Sequence, residues 1–217
     1  MDIAIIGAGT VGKALATSFH RAGHNVTVAS RDPNDAGTLA ASTGSTAAPS
    51  NAAAAAIADV IVLAVPFSSI PEIAAEIATA VGGKPVVDAT NRMSFGANGP
   101  EIDTTSSNAE ELAALLPDAS VIKAFNTVLA SHQSDPTAEG VQLDGYVAGD
   151  DEVTKATVLQ LVDSIGLTPV DVGPLARARQ LEGLAFLNIT LNVANEGSWQ
   201  SGWKLVGAPA KRPVAAW

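Results

Sequence analysis

A short apolar run followed directly by a glycine-rich turn opens the chain. Residues 3–6 read Ile-Ala-Ile-Ile, and residues 7–12 read Gly-Ala-Gly-Thr-Val-Gly ahead of a segment with helical spacing. This order of strand, turn and helix is typical of a dinucleotide-binding βαβ unit, in which Gly7 permits the tight turn, Gly9 lets the backbone approach a pyrophosphate and Gly12 lets the helix pack on the sheet. The motif therefore predicts a phosphate site at the helix N-terminus. The alternative is a glycine-rich turn that holds no ligand.

Strand and helix patterns alternate along most of the chain. Apolar runs predict strands at Asp2–Ile6, Asn25–Ala29, 44–48, 60–65, 85–88 and 120–124. Apolar residues at helical spacing predict helices at 11–22, 33–43, 51–58, 70–81 and 109–116, with a polar loop at 89–107. Repeated alternation of this kind predicts an α/β fold with a Rossmann-type, doubly wound and mainly parallel sheet.

The pattern loosens beyond Asn126. The later segments are predicted as a strand at 141–147, a helix at 150–165, a strand at 169–172 and a mostly helical stretch at 175–205. This change predicts two domains and a tail. We expect a Rossmann domain over residues 1–140, a small C-terminal helical or α+β domain over 141–206 that forms the cleft for a second substrate, and an extended tail over 207–217.

Composition restricts the partners. The chain has 22 acidic against 12 basic residues and a formal net charge of −10, and an acidic surface repels nucleic acid and anionic membranes. It contains no cysteine, and no spacing of His, Asp and Glu resembles a metal site. There is no unbroken apolar stretch of about 18 residues and no leader-like start. We therefore expect a cytoplasmic protein with small-molecule partners, no nucleic acid, no membrane and no metal.

The residues after the second predicted strand indicate which dinucleotide is bound. NAD sites place Asp or Glu there, whereas this chain reads Ser30-Arg31. A hydroxyl donor and a planar cation suit a 2′-phosphate, so the pair predicts NADP(H); the alternative is an arginine that faces solvent. Asn91 and Arg92 follow the fifth predicted strand, at the edge where open α/β sheets bind ligands. We expect Asn91 to contact the cofactor, and Arg92 either to meet an anionic group of the second substrate or to form a loop salt bridge.

Three further segments, taken together with the glycine-rich turn, show a resemblance to a known family. They are Ala64-Val65-Pro66-Phe67, Lys123-Ala124-Phe125-Asn126-Thr127-Val128 and Asp171-Val172-Gly173-Pro174-Leu175. Together with residues 7–12 and Ser30-Arg31, they resemble the family of NADP oxidoreductases that depend on the deazaflavin coenzyme F420. The chain also resembles the related oxidoreductase domain of the six-transmembrane ferric reductases. The resemblance runs from Met1 to about residue 206.

This resemblance implies an NADP-binding Rossmann domain and a small C-terminal domain, usually in a homodimer, with the deazaflavin ring against the nicotinamide. The implied contacts are Gly7, Ala8, Gly9, Thr10, Val11 and Gly12 for the pyrophosphate, Ser30 and Arg31 for the 2′-phosphate, Val65, Pro66 and Phe67 for the ribose and adenine side, and Ala124 and Asn126 beside the nicotinamide. The chain departs from the family at one position. The archaeal enzymes that use coenzyme F420 carry a histidine where this chain has Asn126, and the ferric-reductase domains, which use an ordinary flavin, share the Phe-Asn-Thr version. The second cofactor is therefore expected to be coenzyme F420 or a flavin.

Hydride transfer between two stacked rings needs little acid–base help from a protein. We therefore assign Asn126 a positioning role and no residue an acid or base role. Two alternatives stay open. An NADPH-dependent reductase of a small carbonyl or imine substrate would require a long helical second domain, and a non-catalytic NADP(H) sensor would share the nucleotide site without the second cleft.

Overall fold

The computed structural model describes residues 1–97 and 99–207, and an eight-stranded sheet lies at its centre. The strands are β1 (Asp2–Ile6), β2 (Asn25–Ala29), β3 (Thr46–Ala47), β4 (Val60–Leu63), β5 (Pro85–Asp88), β6 (Met93–Gly96), β7 (Gly99–Ile102), β8 (Ser120–Lys123), β9 (Thr137–Ala138), β10 (Val141–Gln142), β11 (Asp144–Gly149) and β12 (Thr168–Asp171). The α-helices are α1 (Thr10–Arg21), α2 (Pro33–Thr43), α3 (Asn51–Ile57), α4 (Ile70–Val81), α5 (Asn108–Leu115), α6 (Ala130–Gln133), α7 (Glu152–Ser164) and α8 (Ala178–Ala194).

The large sheet has the strand order β12-β11-β8-β5-β4-β1-β2-β3, and β6–β7 and β9–β10 form separate hairpins. Neighbouring strands from β8 to β3 are parallel. Within the described part of this sheet, β11–β8 is the antiparallel pair. Because β1 pairs with β2 on one side and β4 on the other, the sheet is doubly wound and mainly parallel, as predicted. The crevice between β1 and β4 is the switch point at which open α/β sheets bind ligands.

Apolar side chains cover both faces of the central strands. Ile3 and Ile5 of β1 face the layer formed with α1, α2 and α7, whereas Ala4 and Ile6 face the layer formed with α3, α4 and α5. This alternation follows from the period of two along a strand. Phe19 of α1 is fully buried, and burying a side chain of that size contributes about 1.5–3 kcal/mol. Both layers fix the strand ends that form the switch-point crevice.

Short polar side chains cap four of the helices, whereas α1, α4, α6 and α8 have no side-chain cap. Asp32, Ser50, Ser107 and Asp151 accept hydrogen bonds from backbone N–H groups in the first turns of α2, α3, α5 and α7. A cap of this kind contributes about 1 kcal/mol. Gly9 precedes α1 and supplies no side-chain cap, and the first turn of α1 holds no acidic residue. The leading N–H groups of α1 therefore remain available to another acceptor.

The structure differs from the sequence-based prediction in several segments, and α6 and β9 were not predicted. The predicted loop 89–107 contains the β6–β7 hairpin. The strand predicted at 141–147 is β11 at Asp144–Gly149, because residues 141–142 pair with β9 instead. The helix predicted to continue to 205 ends at Ala194, since Glu196 has a φ of 49° and Gly197 N donates to Asn192 O at 2.8 Å.

The chain after α8 returns to the edge of the sheet. Asp144 N donates to Trp203 O at 3.1 Å, and the Asp144 carboxylate accepts from Leu205 N and Lys204 Nζ at 2.6 and 2.7 Å. These contacts tie residues 203–205 to the start of β11. Residues 208–217, which hold most of the predicted tail, lie outside the described residues.

The strands of the predicted C-terminal domain join the sheet of the predicted Rossmann domain. Ala148 of β11 pairs with Lys123 of β8, and Asp144 of β11 pairs with Thr168 of β12. The division at residues 140 and 141 stays a prediction, with one sheet continuous across it. Over residues 1–97 and 99–207, no helix has the length and apolar character needed to cross a membrane.

Candidate functional site

The three glycines of the turn after β1 have different surroundings. Gly7 has a φ of 120°, and a Cβ there would overlap the carbonyl oxygen of Ala64. A Cβ on Gly12 would overlap the carbonyl oxygen of Gly7, so both positions are required by the packing of the chain itself. A Cβ on Gly9 would meet no described atom within 4 Å. Gly9 therefore leaves open space at the uncapped start of α1, which is the cradle that a pyrophosphate requires.

A cleft of about 270 Å³ lies above this turn. Its walls come from three neighbouring strand ends: the turn after β1, the segment after β4 and the segment after β5. The lining residues are Gly9, Thr10, Val11, Ala64, Val65, Pro66, Ala89, Thr90 and Asn91. We call it the first cleft. It brings together the predicted glycine motif, Val65, Pro66 and Asn91, although they lie far apart in the sequence.

A second cleft of about 280 Å³ lies beside the C-terminal end of β2 and the start of α3. Its lining residues are Ser30, Arg31, Pro33, Pro49, Ser50, Asn51, Ala52 and Glu76. Asn51 Nδ2 donates to Glu76 Oε2 at 2.6 Å. Arg31 is exposed and forms no ion pair with the described residues. An exposed arginine without a carboxylate partner in a chain of net charge −10 suits a phosphate ligand.

Phe67 and Arg92 lie together outside both clefts. The Arg92 guanidinium sits over the Phe67 ring, 5.2 Å from its centroid. It also pairs with Glu111, and with Asp103 at 3.3 Å. The neighbouring carboxylates, above all through the hydrogen bond to Glu111, raise the pKa of Arg92. Of the two roles predicted for Arg92, the structure shows the loop salt bridge.

Asn126 joins the loop after β8 to the loop after β5 and to α8. Its Nδ2 donates to Asn91 Oδ1 at 2.9 Å and to Leu181 O at 3.1 Å, while Asn91 Nδ2 donates to Asn126 O at 3.2 Å. The buried Asn126 Oδ1 has no partner within the part of the chain that the structure describes. Asn126 thus contacts Asn91 of the first cleft, whereas Asn126 and Ala124 themselves do not line it.

The residue before Asn126 has a strained backbone. Phe125 has a φ of 64°, which costs a non-glycine residue about 1–3 kcal/mol. Its ring packs edge-on against Phe19 with the centroids 5.6 Å apart, and Gln133 Nε2 donates to Phe125 O at 2.8 Å. The core and this side-chain hydrogen bond hold the turn that aims Asn126 toward Asn91.

A buried cluster of charges lies behind the first cleft, and sequence reasoning missed it. Lys123 Nζ contacts Asp88 Oδ2 at 2.8 Å, Glu182 Oε1 at 2.7 Å and the carbonyl oxygen of Thr90 at 2.6 Å. Asp88 and Lys123 are paired residues at the ends of the parallel strands β5 and β8. Their opposite charges at the ends of two apolar runs were the available signal. Glu182 comes from a helix distant in sequence, and no local pattern identifies it.

The open sheet, with a glycine turn and a cleft at its switch point, defines a Rossmann-type α/β protein. The chain belongs to the family of coenzyme F420-dependent NADP oxidoreductases, as the sequence resemblance indicated. The family model described as NADP oxidoreductase, coenzyme F420-dependent, matches residues 2–92. That range includes the glycine turn, Ser30-Arg31 and all three walls of the first cleft.

Relatives match over most of the chain. The F420-dependent NADP reductase of Methanothermobacter thermautotrophicus is 33% identical over 211 residues, which is 90% of this chain and 90% of that protein. A crystal structure from Arthrobacter sp. FB24, assigned as an F420-dependent NADP reductase, has a TM-score of 0.86 at 31% identity and covers 94% of this chain and 99% of that chain. The rat metalloreductase STEAP3 is 32% identical over 186 residues, or 84% of this chain. The chain spans only 36% of the length of that metalloreductase.

Proposed function

We propose that the protein transfers a hydride between NADP(H) and an acceptor with a deazaflavin ring, coenzyme F420, or a flavin ring. The observation that carries this proposal is the open space at Gly9 above the uncapped start of α1. Neither the packing nor the backbone of the chain explains a glycine there, whereas a bound pyrophosphate does. The family relationship supports the same type of reaction.

The two clefts suit the two ends of NADP(H). The pyrophosphate would lie on the backbone of Gly9, Thr10 and Val11 at the start of α1. Ser30 and Arg31 would hold the 2′-phosphate in the second cleft, on the β2 side. The nicotinamide end would then extend to the opposite side of β1, toward Thr90 and its neighbours, since β4 and β5 lie on that side.

The bound nucleotide supplies the hydride chemistry, and the chain supplies geometry. Val65 and Pro66 shape one wall of the first cleft. The hydrogen bonds between Asn126 and Asn91 hold the loops after β8 and β5 in a fixed relation. Hydride transfer requires the two rings to approach to about 3–3.5 Å, so rigid walls contribute more to the rate than an acid or base would.

A carbonyl or imine reductase remains the alternative function. That class would require a long helical second domain, whereas over residues 175–207 the structure has α8, which ends at Ala194, and then an irregular return to β11. The homodimer implied by the family stays a proposal. Leu187 and Leu191, one helical turn apart on α8, are 48% and 50% exposed and offer an apolar patch for it, and sedimentation equilibrium would measure the oligomeric state.

A substitution at Arg31 tests the proposed cofactor. NADPH oxidation would be followed at 340 nm with coenzyme F420 or FMN as the acceptor. Arg31→Ala is expected to raise the KM for NADPH at least tenfold and to leave the KM for NADH unchanged, because a hydrogen bond to a charged group contributes about 1.5–3 kcal/mol. Arg21→Ala is the matched control, since Arg21 donates to Ser134 O at the far end of α1. Equal use of NADH and NADPH by the unmodified protein would refute the 2′-phosphate site.

A further inference from the structure

Two carboxylates and one ammonium group are buried together behind the wall of the first cleft. Asp88 and Lys123 end β5 and β8, and Glu182 lies in the second turn of α8. Their side chains are at most 2% exposed. Burial of charge without full compensation is costly, so this surplus of negative over positive groups calls for a functional explanation.

The hydrogen bonds of the cluster indicate that both carboxylates are ionised. Glu182 Oε1 accepts from Lys123 Nζ and from Asn108 N at 2.8 Å, and Glu182 Oε2 accepts from Arg92 N at 3.2 Å. Asp88 Oδ1 accepts from Thr90 N at 2.9 Å, and its Oδ2 accepts from Lys123 Nζ. In the described chain, each partner of either carboxylate is an N–H donor, which leaves a carboxylic acid proton without an acceptor. The cluster therefore carries one net negative charge.

The groups around the cluster do not cancel that charge. Burial, together with the neighbouring Asp88 carboxylate, raises the pKa of Glu182, whereas the N–H donors of Lys123 and Asn108 stabilise its charged form and oppose this effect. The nearby Arg92 guanidinium is attracted by Glu182 as well, but it is shared with Glu111 and Asp103, with which it is paired. Arg179 is paired with Glu110 of α5. The cations that the structure places beside the cluster thus already face carboxylates of their own.

The Asp88–Lys123–Glu182 cluster is in direct contact with Thr90, a residue that lines the first cleft. Lys123 Nζ donates to the carbonyl oxygen of Thr90, and Thr90 lines the first cleft between Ala89 and Asn91. This part of the cleft lies on the side of β1 opposite to β2 and Arg31. If NADP(H) lies across the clefts as proposed above, the ring nearest the cluster is the nicotinamide.

We propose that the Asp88–Lys123–Glu182 cluster favours the oxidised cofactor, because its negative charge attracts the positive nicotinamide ring of NADP⁺ and not the neutral ring of NADPH. This inference rests on the proposed function. Glu182 and Asp88 act as positioning residues for charge and do not touch the reacting atoms. Bound NADPH therefore becomes a stronger hydride donor, and the cluster favours hydride transfer from NADPH to the acceptor.

The reaction so favoured is NADPH + acceptor + H⁺ → NADP⁺ + reduced acceptor. The C4–H bond of NADPH breaks and its electron pair leaves with the hydrogen. The new C–H or N–H bond forms on the deazaflavin or flavin ring, which also takes the proton from solvent. NADPH is oxidised to NADP⁺ and the acceptor ring is reduced by two electrons.

Binding of the two redox forms tests the inference on the full chain. The dissociation constants of NADP⁺ and NADPH would be measured by calorimetry for the unmodified protein, Glu182→Gln and Asp88→Asn. Each variant is expected to raise the ratio of the NADP⁺ constant to the NADPH constant about tenfold, the effect of a unit charge about 10 Å away at an effective dielectric constant of about 20. That change corresponds to about 30 mV in the potential of the bound couple. Glu152→Gln is the matched control, because Glu152 pairs with Lys155 at the start of α7.

The outcomes separate this inference from the proposed function. Failure of the unmodified protein to bind either nucleotide would refute the proposed function. Binding of both forms, with a ratio that the two variants leave unchanged, would refute the role of the cluster, since a purely structural role weakens both forms equally. If neither variant folds, the unmodified protein decides: NADP⁺ is expected to bind at least as tightly as NADPH, and tenfold tighter binding of NADPH overturns the inference.

Discussion

Alanine substitutions at Gly9 and Gly12 should separate binding from folding within a single motif. Gly9 has a φ of −76° and a ψ of −174°, which alanine adopts without strain, and its Cβ would enter open space. Alanine in place of a Ser, Thr, Asn or Asp N-cap costs about 0.5–2 kcal/mol and glycine only a few tenths, and the loss of glycine's freedom in the unfolded chain returns about 0.4–1 kcal/mol. The stability of Gly9→Ala should therefore change by no more than about 1 kcal/mol.

The same methyl group should disrupt nucleotide binding, because it occupies the space that a pyrophosphate would fill above α1. Loss of two backbone–phosphate hydrogen bonds at about 1.5 kcal/mol each gives an increase in the Kd for NADPH of about a hundredfold. Gly12→Ala is the contrasting variant, since its Cβ would overlap the backbone oxygen of Gly7. Overpacking against backbone should cost at least about 2 kcal/mol and lower the Tm by about 4–8 °C.

Two measurements check both variants. Thermal unfolding followed by circular dichroism reports stability, and the fluorescence of NADPH on titration reports binding. A Kd for NADPH that stays within threefold of the unmodified value in Gly9→Ala would refute the pyrophosphate site at Gly9. An equal loss of stability in Gly9→Ala and Gly12→Ala would also contradict a binding role for Gly9, because the fold itself would then require this glycine.

Two further predictions concern buried polar groups. Lys123→Met should lower the free energy of unfolding by about 3–5 kcal/mol in a urea titration, because Asp88 and Glu182 would remain buried without their cation; a loss below about 1 kcal/mol would contradict the observed pairing. Burial, reinforced by the Asp144 carboxylate, raises the pKa of Tyr146 to about 12, and the chain contains one tyrosine, so absorbance at 295 nm should show its ionisation near that pH. Since this folded-state pKa lies above the unfolded value of about 10, the stabilisation that it represents is present below pH 10 and is lost as the pH rises through about 12. Ionisation of the folded protein near pH 10 would contradict the burial of Tyr146.

Local sequence signals were sufficient for most of the sheet and its flanking helices. Helix α4 and strand β5 have the bounds that were predicted for them, because a helical apolar pattern and a short apolar run are each decided within about a dozen residues. The doubly wound arrangement follows from their alternation with the other strands and helices. The glycine motif likewise identified the first cleft, since the turn and the start of α1 are adjacent in the chain.

Contacts between segments distant in the sequence determine where α8 ends and where β11 begins. The end of α8 depends on hydrogen bonds of Asn192 with the chain that follows, and the start of β11 depends on the return of residues 203–205 to Asp144. Neither has a periodic signal, so both were placed wrongly.

The sequence by itself determined a Rossmann-type sheet, a glycine-rich turn at Gly7–Gly12 and a cation, Arg31, after the end of β2. Only the tertiary structure placed Asn91 against Asn126 and buried Glu182 against Lys123 and Asp88. The physical reason is that a strand or helix is selected by its own residues, whereas the charge behind the first cleft is assembled from two strand ends and a helix. Those segments meet only when the whole sheet has formed.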